Sequence, residues 1–328
     1  MPTLRVLCVS LVAVGLCSFS ARSAEKPLSS GTVKAVLWQQ RDVPTCNLLY
    51  GAGSSDRAPS GRFRFIGEDL DGSSPKFEIE DEQGIRWKAK LGTEARSETA
   101  ATRLVWAAGY FTDEDYYLPE LTVDGLPILK RGREYVSDDG LVRGARLERK
   151  IQGEKKVADW SWLENPFVGT RELDGLKVVM ALINDWDLKE VNNSIYDEPD
   201  GERRYVVSDL GASLGRNSNE YARSKGDADG YLRSRFIKEI RPEEVDFVLQ
   251  QYPLWVSAVR TVHFREYRRM EPIVQHVPRS DVTWIGQLLA RLSDSQIADA
   301  FRAAGFSAVE VDAYTATIRG RLARLSAL

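Results

Sequence analysis

Three oxygen-bearing side chains are gathered in one stretch of this sequence. Asp187 and Asn192 are separated by Leu188-Lys189-Glu190-Val191, and Asp209 follows at the head of Asp209-Leu210-Gly211. Phosphoryl transfer needs a carboxylate that orients and deprotonates a hydroxyl, and hard oxygen ligands that hold a divalent cation against phosphate. In that chemistry Asp187 accepts the proton, Asn192 and Asp209 bind magnesium or manganese, and Lys189 steadies the transferred group. Gly211 is expected to let the backbone bend tightly behind Asp209. Singly these letters are ordinary turn chemistry, because Asp, Asn and Gly collect in loops for their own reasons. Their order, and the elements between them, carry the reading.

Those elements are legible from periodicity. Leu176, Val179, Met180 and Ile183 recur at helical spacing, so a helix is predicted to end near Asn184 and release a polar loop. Ser194–Tyr196 and Tyr205–Val207 read as strands, with Glu198-Pro199-Asp200-Gly201 as the turn between them. Upstream, Phe63 and Phe65, then Phe77 and Ile79, then Ile85, Trp87, Ala89 and Leu91 alternate with polar residues. That is the period of half-buried strands, and it predicts an antiparallel sheet of at least three. A helix follows, with Thr93 as its expected N-cap and Gly109 as its stop. Leu121–Val123 and Leu126–Ile128 are read as strands around Asp124-Gly125, and a further strand is expected from Val142 to Gly153. Trp160 and Trp162 are read as packing.

Helix, polar loop, hairpin and D-x-G in this order resemble the catalytic and metal-binding halves of the protein-kinase-like fold. The resemblance covers about Phe63 to Gly215 in its motifs. It is nearer to the secretory-pathway and bacterial toxin-type kinases than to eukaryotic protein kinases. Through WKAKLGTEARSETAATRLVWAAGY and NDWDLKEVNN the chain is also similar to an uncharacterised group of exported bacterial proteins. The resemblance implies an α+β, bilobal fold: a small antiparallel-sheet N-lobe over residues 61–130 and a mainly helical C-lobe over 131–328, with ATP and Mg2+ or Mn2+ between them. It further implies a lysine on the third strand to meet the donor phosphates, and an acid on the next helix to hold that ammonium. Lys90, at the strand's end, takes the first role ahead of Lys88. Glu98, deep in the helix, takes the second, while Glu94 is assigned to the helix dipole. Gly72 and Ser73, in the turn between the first two strands, are the candidate phosphate cover.

The departures from that pattern matter. Asp185-Trp186 stands where His-Arg usually precedes the catalytic aspartate, Leu210 replaces phenylalanine, and neither G-x-G-x-x-G nor A-P-E is present. Asp185 is not a rival base, since Glu190 rather than asparagine lies five residues beyond it. Asn192-Asn193-Ser194 is also a glycosylation sequon, and a glycan there would exclude metal binding. Three functions stay open: phosphoryl transfer to a hydroxyl of a protein or small molecule, a catalytically inactive pseudokinase serving as a binding module, and nucleotidyl transfer on the same scaffold.

Around this centre the chain is conventional. Arg5, an apolar run from Val6 to about Phe19 and Ala21-Arg22-Ser23-Ala24 read as an export signal over 1–24, so an exported protein is expected. The apolar run is too short for a comfortable membrane span, and no stable transmembrane segment is expected in the mature chain. Residues 25–60 are read as an N-terminal extension. Cys8 and Cys17 fall in the expected signal, which leaves Cys46 without a disulfide partner, and two histidines give no basis for a His-rich zinc site. At 328 residues and 43% hydrophobic the chain can bury a large core, and a net charge of −3 gives no footprint for nucleic acid. The polar stretch after Gly215 corresponds to an activation or substrate segment, expected to be mobile. Pro242 to Glu271 is read as helix with solvated arginines 265, 268 and 269. The last third is read as helical, with capping boxes at Ser293/Gln296 and Ser307/Glu310 and a stop at Gly305.

Overall fold

The computed structural model describes residues 33–151, 153–199, 201–218, 222–250 and 268–328. The expected export signal lies outside them. In chain order the elements are β1 (Lys34–Val36), β2 (Phe63–Asp69), β3 (Lys76–Asp81), β4 (Arg86–Leu91), α1 (Thr93–Ala107), β5 (Phe111–Thr112), β6 (Asp115–Asp124), β7 (Leu141–Arg149) and β8 (Lys155–Ala158). Then come α2 (Arg171–Leu182), β9 (Asn193–Asp197), β10 (Glu202–Val207), α3 (Ala228–Arg233), β11 (Ile237–Ile240), β12 (Glu244–Phe247) and β13 (Val277–Pro278). Three helices finish the chain: Arg279–Ala290, Asp294–Ala303 and Ala308–Ser326.

β2, β3, β4, β7 and β6 close into a barrel. Its inward residues, including Phe63, Phe77, Ile79, Trp87, Leu121, Val142 and Leu147, form one hydrophobic core. Each such side chain contributes about 1.5–3 kcal/mol by leaving water. The alternating pattern of β3 and β4 is therefore the inside–outside alternation of a closed sheet. A second, larger core gathers the C-terminal helices, α2 and the apolar side of α1, together with Leu37, Val43 and Leu48. Eleven of the fifteen residues of α1 are buried, which its run of Ala, Ser and Thr permits, because small side chains let the helix lie between both bodies. The result is an α+β fold with two hydrophobic cores, in which α1 belongs to the helical core while the strand before it belongs to the barrel.

Several expectations need correction. The sheet unit does not end at 130: β7 pairs with both β4 and β6, so the barrel runs to Arg149. Residues 33–60 are more than an N-terminal extension: β1 pairs in parallel with β10, and Leu37, Val43, Cys46 and Leu48 are buried in the larger core. Gly92, at φ +88°, occupies the N-cap of α1 and Thr93 is its first helical residue. Leu126–Ile128 is loop, consistent with Pro127 having no N–H for a ladder, while β6 is one strand of ten residues. Glu244–Phe247 is a strand between β11 and β13, not helix, and residues 251–267 of the expected helix lie outside the described residues. Arg265 lies outside the described residues, and Arg268 pairs with Glu271 at the surface. In the polar stretch after Gly215, Asp227 caps α3 through Gly230 and Gly226 donates to the Ser213 carbonyl, so its described part is anchored. Both C-terminal capping boxes are formed, and Gly305 is left-handed at φ +71°. Among the described residues no helix is long and apolar enough to cross a membrane.

Candidate active site

The hairpin β9–β10 and the loops on either side of it bring the oxygen-bearing residues to the junction between the two cores. Antiparallel pairing sets Asn193 opposite Val207, and the Ser208 amide donates to the Asn192 carbonyl at 3.1 Å. Asn192 and Asp209 therefore flank the open end of one hairpin. Behind it, the Trp186 amide donates to Ala212 at 3.3 Å and Leu214 to Ile183 at 2.7 Å, tying the loop after α2 to the loop after β10. Asp209 itself is left-handed at φ +47°, a conformation aspartate tolerates better than most residues. The sharp bend thus falls on Asp209 and not on Gly211. Glycine is needed at 211 for a different reason: a Cβ there would stand 2.9 Å from the Cβ of Glu94.

Lys90 stands near the end of β4 on the strand face opposite Trp87, Ala89 and Leu91, buried with its ammonium 2.8 Å from Glu98 Oε2, 2.6 Å from Asp209 Oδ1 and 3.4 Å from Glu94 Oε2. Burial alone would lower this lysine's pKa, but the carboxylates of Glu98, Asp209 and Glu94 outweigh it and hold the ammonium charged. Lys88, the runner-up, is only half-buried and is not among these pairs. Glu98 is shared between two cations, since its Oε1 lies 3.1 Å from Arg146, which in turn pairs with Asp115 at 2.9 Å and Glu148 at 3.3 Å. Burial pushes the Glu98 carboxyl up against the opposing pull of Arg146 and Lys90. Arg103 closes the chain on Asp115 at 2.7 Å. A buried charge network of this kind fixes the Lys90–Glu98 pair because every member has a partner.

Glu94 does more than complement the helix dipole. Besides Lys90 it accepts from Ser74 Oγ at 2.5 Å and pairs with Lys225, so one carboxylate joins the turn after β2, the strand lysine and the segment after Gly215. Burial works to raise its pKa, but Lys90 and Lys225 prevail and hold it at about 2. In the sequence Glu94 reads only as a first-turn acid, and Arg146 and Asp115 sit in strands whose polar letters read as solvent-facing. Asp187 pairs with Lys189 at 3.0 Å, and its carbonyl accepts from Asn192 Nδ2 at 2.7 Å. Asp185, nearly fully buried, accepts from the Asp187 amide at 2.9 Å. Burial, aided by the charges of Asp187, Asp209 and Glu98 and opposed by that amide, pushes Asp185 up to about 7.

Two cavities meet at Lys90 and Asp209, which line both. One, about 400 Å³, is lined by Lys88, Glu98, Glu148, Asn192, Ser194 and Tyr196. The other, about 370 Å³, is lined by Gly72, Ser73, Trp186, Asp187, Lys189 and Arg223. Asn192 and Asp187, five residues apart, line different cavities of one cleft while the Asn192 amide stays within 3.5 Å of the Asp187 carboxylate. Gly72 and Ser73 stand over the Asp187 side, held there by Arg131, which donates to the Gly72 carbonyl at 2.6 Å. As for a cation, the Asp209 side chain is half exposed, and engaging the Asn192 amide nitrogen leaves its oxygen as the remaining donor. A carboxylate and an amide oxygen lining the same cavity are hard ligands, a set that fits magnesium or manganese.

No protein-family model matches the sequence, and the search of curated proteins found no match. In backbone course the chain is similar to the Helicobacter pylori proinflammatory kinase CtkA, with a TM-score of 0.48 and 10% identity over 82% of this chain and 98% of that one. It is similar also to the Golgi casein kinase, with a TM-score of 0.35 and 10% identity over 86% of this chain and 78% of that one.

Proposed function

We propose that this chain is an exported phosphotransferase that moves a phosphoryl group from ATP to a hydroxyl of a protein or small molecule. The observation that carries the reading is the convergence of Asp187, Asn192 and Asp209 with Lys90 on one cleft, where Asp209 and Lys90 line both cavities, Asn192 lines one and Asp187 the other. On this reading the nucleotide occupies the Asn192 compartment and the acceptor hydroxyl enters the Asp187 compartment, so that the transferred group passes between Lys90 and Asp209. Asn192 and Asp209 would hold Mg2+ or Mn2+, which when bound supplies charge neutralisation across the phosphates.

The chain's own residues divide the remaining work. Asp187 accepts the proton of the incoming hydroxyl, as a carboxylate within reach of that oxygen can. Lys189, 3.0 Å from Asp187, steadies the group in transit. Lys90 presents a fixed positive charge to the donor phosphates because Glu98, pinned by Arg146, holds it in place. Gly72 and Ser73 cover the side from which the terminal phosphate emerges.

A second reading, a binding module that does not turn over, is favoured by one contact. Asp209 is spent on Lys90 at 2.6 Å, and that pair has to open before a metal–nucleotide complex can settle between them. Incubation of the mature chain with ATP, manganese and candidate acceptors, read by mass spectrometry, separates the possibilities. Acceptor heavier by one phosphoryl group supports phosphotransfer, an adduct heavier by a whole nucleotide indicates nucleotidyl transfer, and nucleotide binding with no product supports the module.

A further inference from the structure

Most cations lining the Asp187 compartment are already matched by an acid. Lys76 pairs with Asp69, Lys90 with Glu98 and Asp209, Lys189 with Asp187 and Lys225 with Glu94. Arg223 is different. Its guanidinium carbon lies over the Trp186 indole, 3.8 Å from the ring centroid, and among the described residues no carboxylate pairs with it. Trp186 is itself held rigidly, with its carbonyl accepting from Gln250 Nε2 at 3.0 Å and its amide donating to Ala212. A guanidinium held over such a ring, with no carboxylate partner among the described residues, can present its planar N–H edge to an anion, which is how arginine captures carboxylates and phosphates two bonds at a time. This edge lines the same cavity as Asp187, next in sequence to the ring that carries it.

We propose that Arg223 on Trp186 is an anion subsite for the acceptor, so that the preferred acceptor carries a carboxylate or phosphate monoester close to the hydroxyl that receives the phosphoryl group. The proposal rests on the phosphotransfer reading for the identity of the compartment. It predicts a selectivity that the catalytic residues alone would not give, since none of them distinguishes a charged acceptor from a neutral one. A cation with no acid partner among the described residues also favours anions by difference: a basic acceptor would meet Arg223, Lys189 and Lys225 with no compensating charge beyond those already engaged.

Fluorescence anisotropy on the full mature chain tests this without requiring turnover. Labelled peptides of equal length, each with one serine flanked by glutamates, by lysines or by neutral residues, are titrated with the native chain, Arg223→Gln and Arg223→Glu, each checked for an unaltered unfolding midpoint. The native chain is expected to prefer the acidic peptide by about tenfold, Arg223→Gln to lose that preference and Arg223→Glu to reverse it toward the basic peptide. Competition by glycerol 3-phosphate at concentrations where inorganic phosphate is without effect assigns the anion to a phosphorylated polyol; its failure to compete assigns it to an acidic polypeptide. An unchanged preference in Arg223→Glu overturns the proposal, as does a loss of ATP-dependent thermal shift in Arg223→Gln, which would place the guanidinium on the nucleotide instead. A chain that keeps the charge preference yet binds no ATP would end the phosphotransfer reading alone, and one that binds ATP with no charge preference would end this proposal alone.

Discussion

At the scale of single residues, Lys90 concentrates the electrostatics of the cleft, because Glu98, Asp209 and Glu94 all converge on its ammonium. Lys90→Met is expected to lower phosphotransfer by about 10²–10³-fold, the usual loss when one preorganised charge is removed from a transition state. Asp187→Asn separates chemistry from binding: transfer should fall by about 10²–10⁴-fold while the ATP-dependent thermal shift is kept, measured on the same preparation. Asp185 supplies a pH test. Its folded pKa, near 7, stands above the ordinary carboxylate value of 3.8, so the native state holds a proton that the unfolded chain has released. Stability from this group is therefore present at low pH and is lost as pH rises from about 4 to about 7, by at most about 1.4 kcal/mol per pH unit. Asp185→Asn keeps an oxygen for the Asp187 amide and cannot ionise. Relative to the native chain its unfolding midpoint should climb across that window and run parallel above it; a constant offset from pH 4 to 8 would show that Asp185 does not titrate there.

At the scale of elements, the strand–helix corner from β4 to α1 and the hairpin β9–β10 do the positioning. The corner works only because β7 brings Arg146 under Glu98, so Arg146→Met should destabilise the fold by about 3–5 kcal/mol in denaturant titration, the cost of stranding buried carboxylates. By contrast, loss of a cap in the last helix acts locally, and Ser307→Ala should cost about 1 kcal/mol. The hairpin and its flanking acids were legible in the sequence from short-range periodicity and loop residues, whereas the Lys90–Glu98 pair was chosen on what the resemblance implies. What was not legible depends on distant pairing. Arg146 and Asp115 are enclosed by the closure of the barrel, Glu244–Phe247 is a strand because β11 and β13 bracket it, and Glu94 gains its role from a turn and a segment far along the chain. Local pattern records none of these.

At the scale of the whole molecule, two hydrophobic cores meet along the cleft, and the side chains assigned to catalysis come from both. Lys90 rises from the barrel, Glu98 from a helix embedded in the larger core, and Asp187, Asn192 and Asp209 from loops on that same core. A ligand bound between them links the two bodies and should raise the unfolding midpoint as its concentration exceeds its dissociation constant. The most direct measurement is a thermal-shift titration of the mature chain with ATP and magnesium or manganese, comparing native protein with Asp209→Ala. A metal-dependent rise for the native chain that disappears in Asp209→Ala is the predicted result. A rise of equal size in both proteins, or none in the native chain at millimolar nucleotide, would contradict the assignment of this cleft.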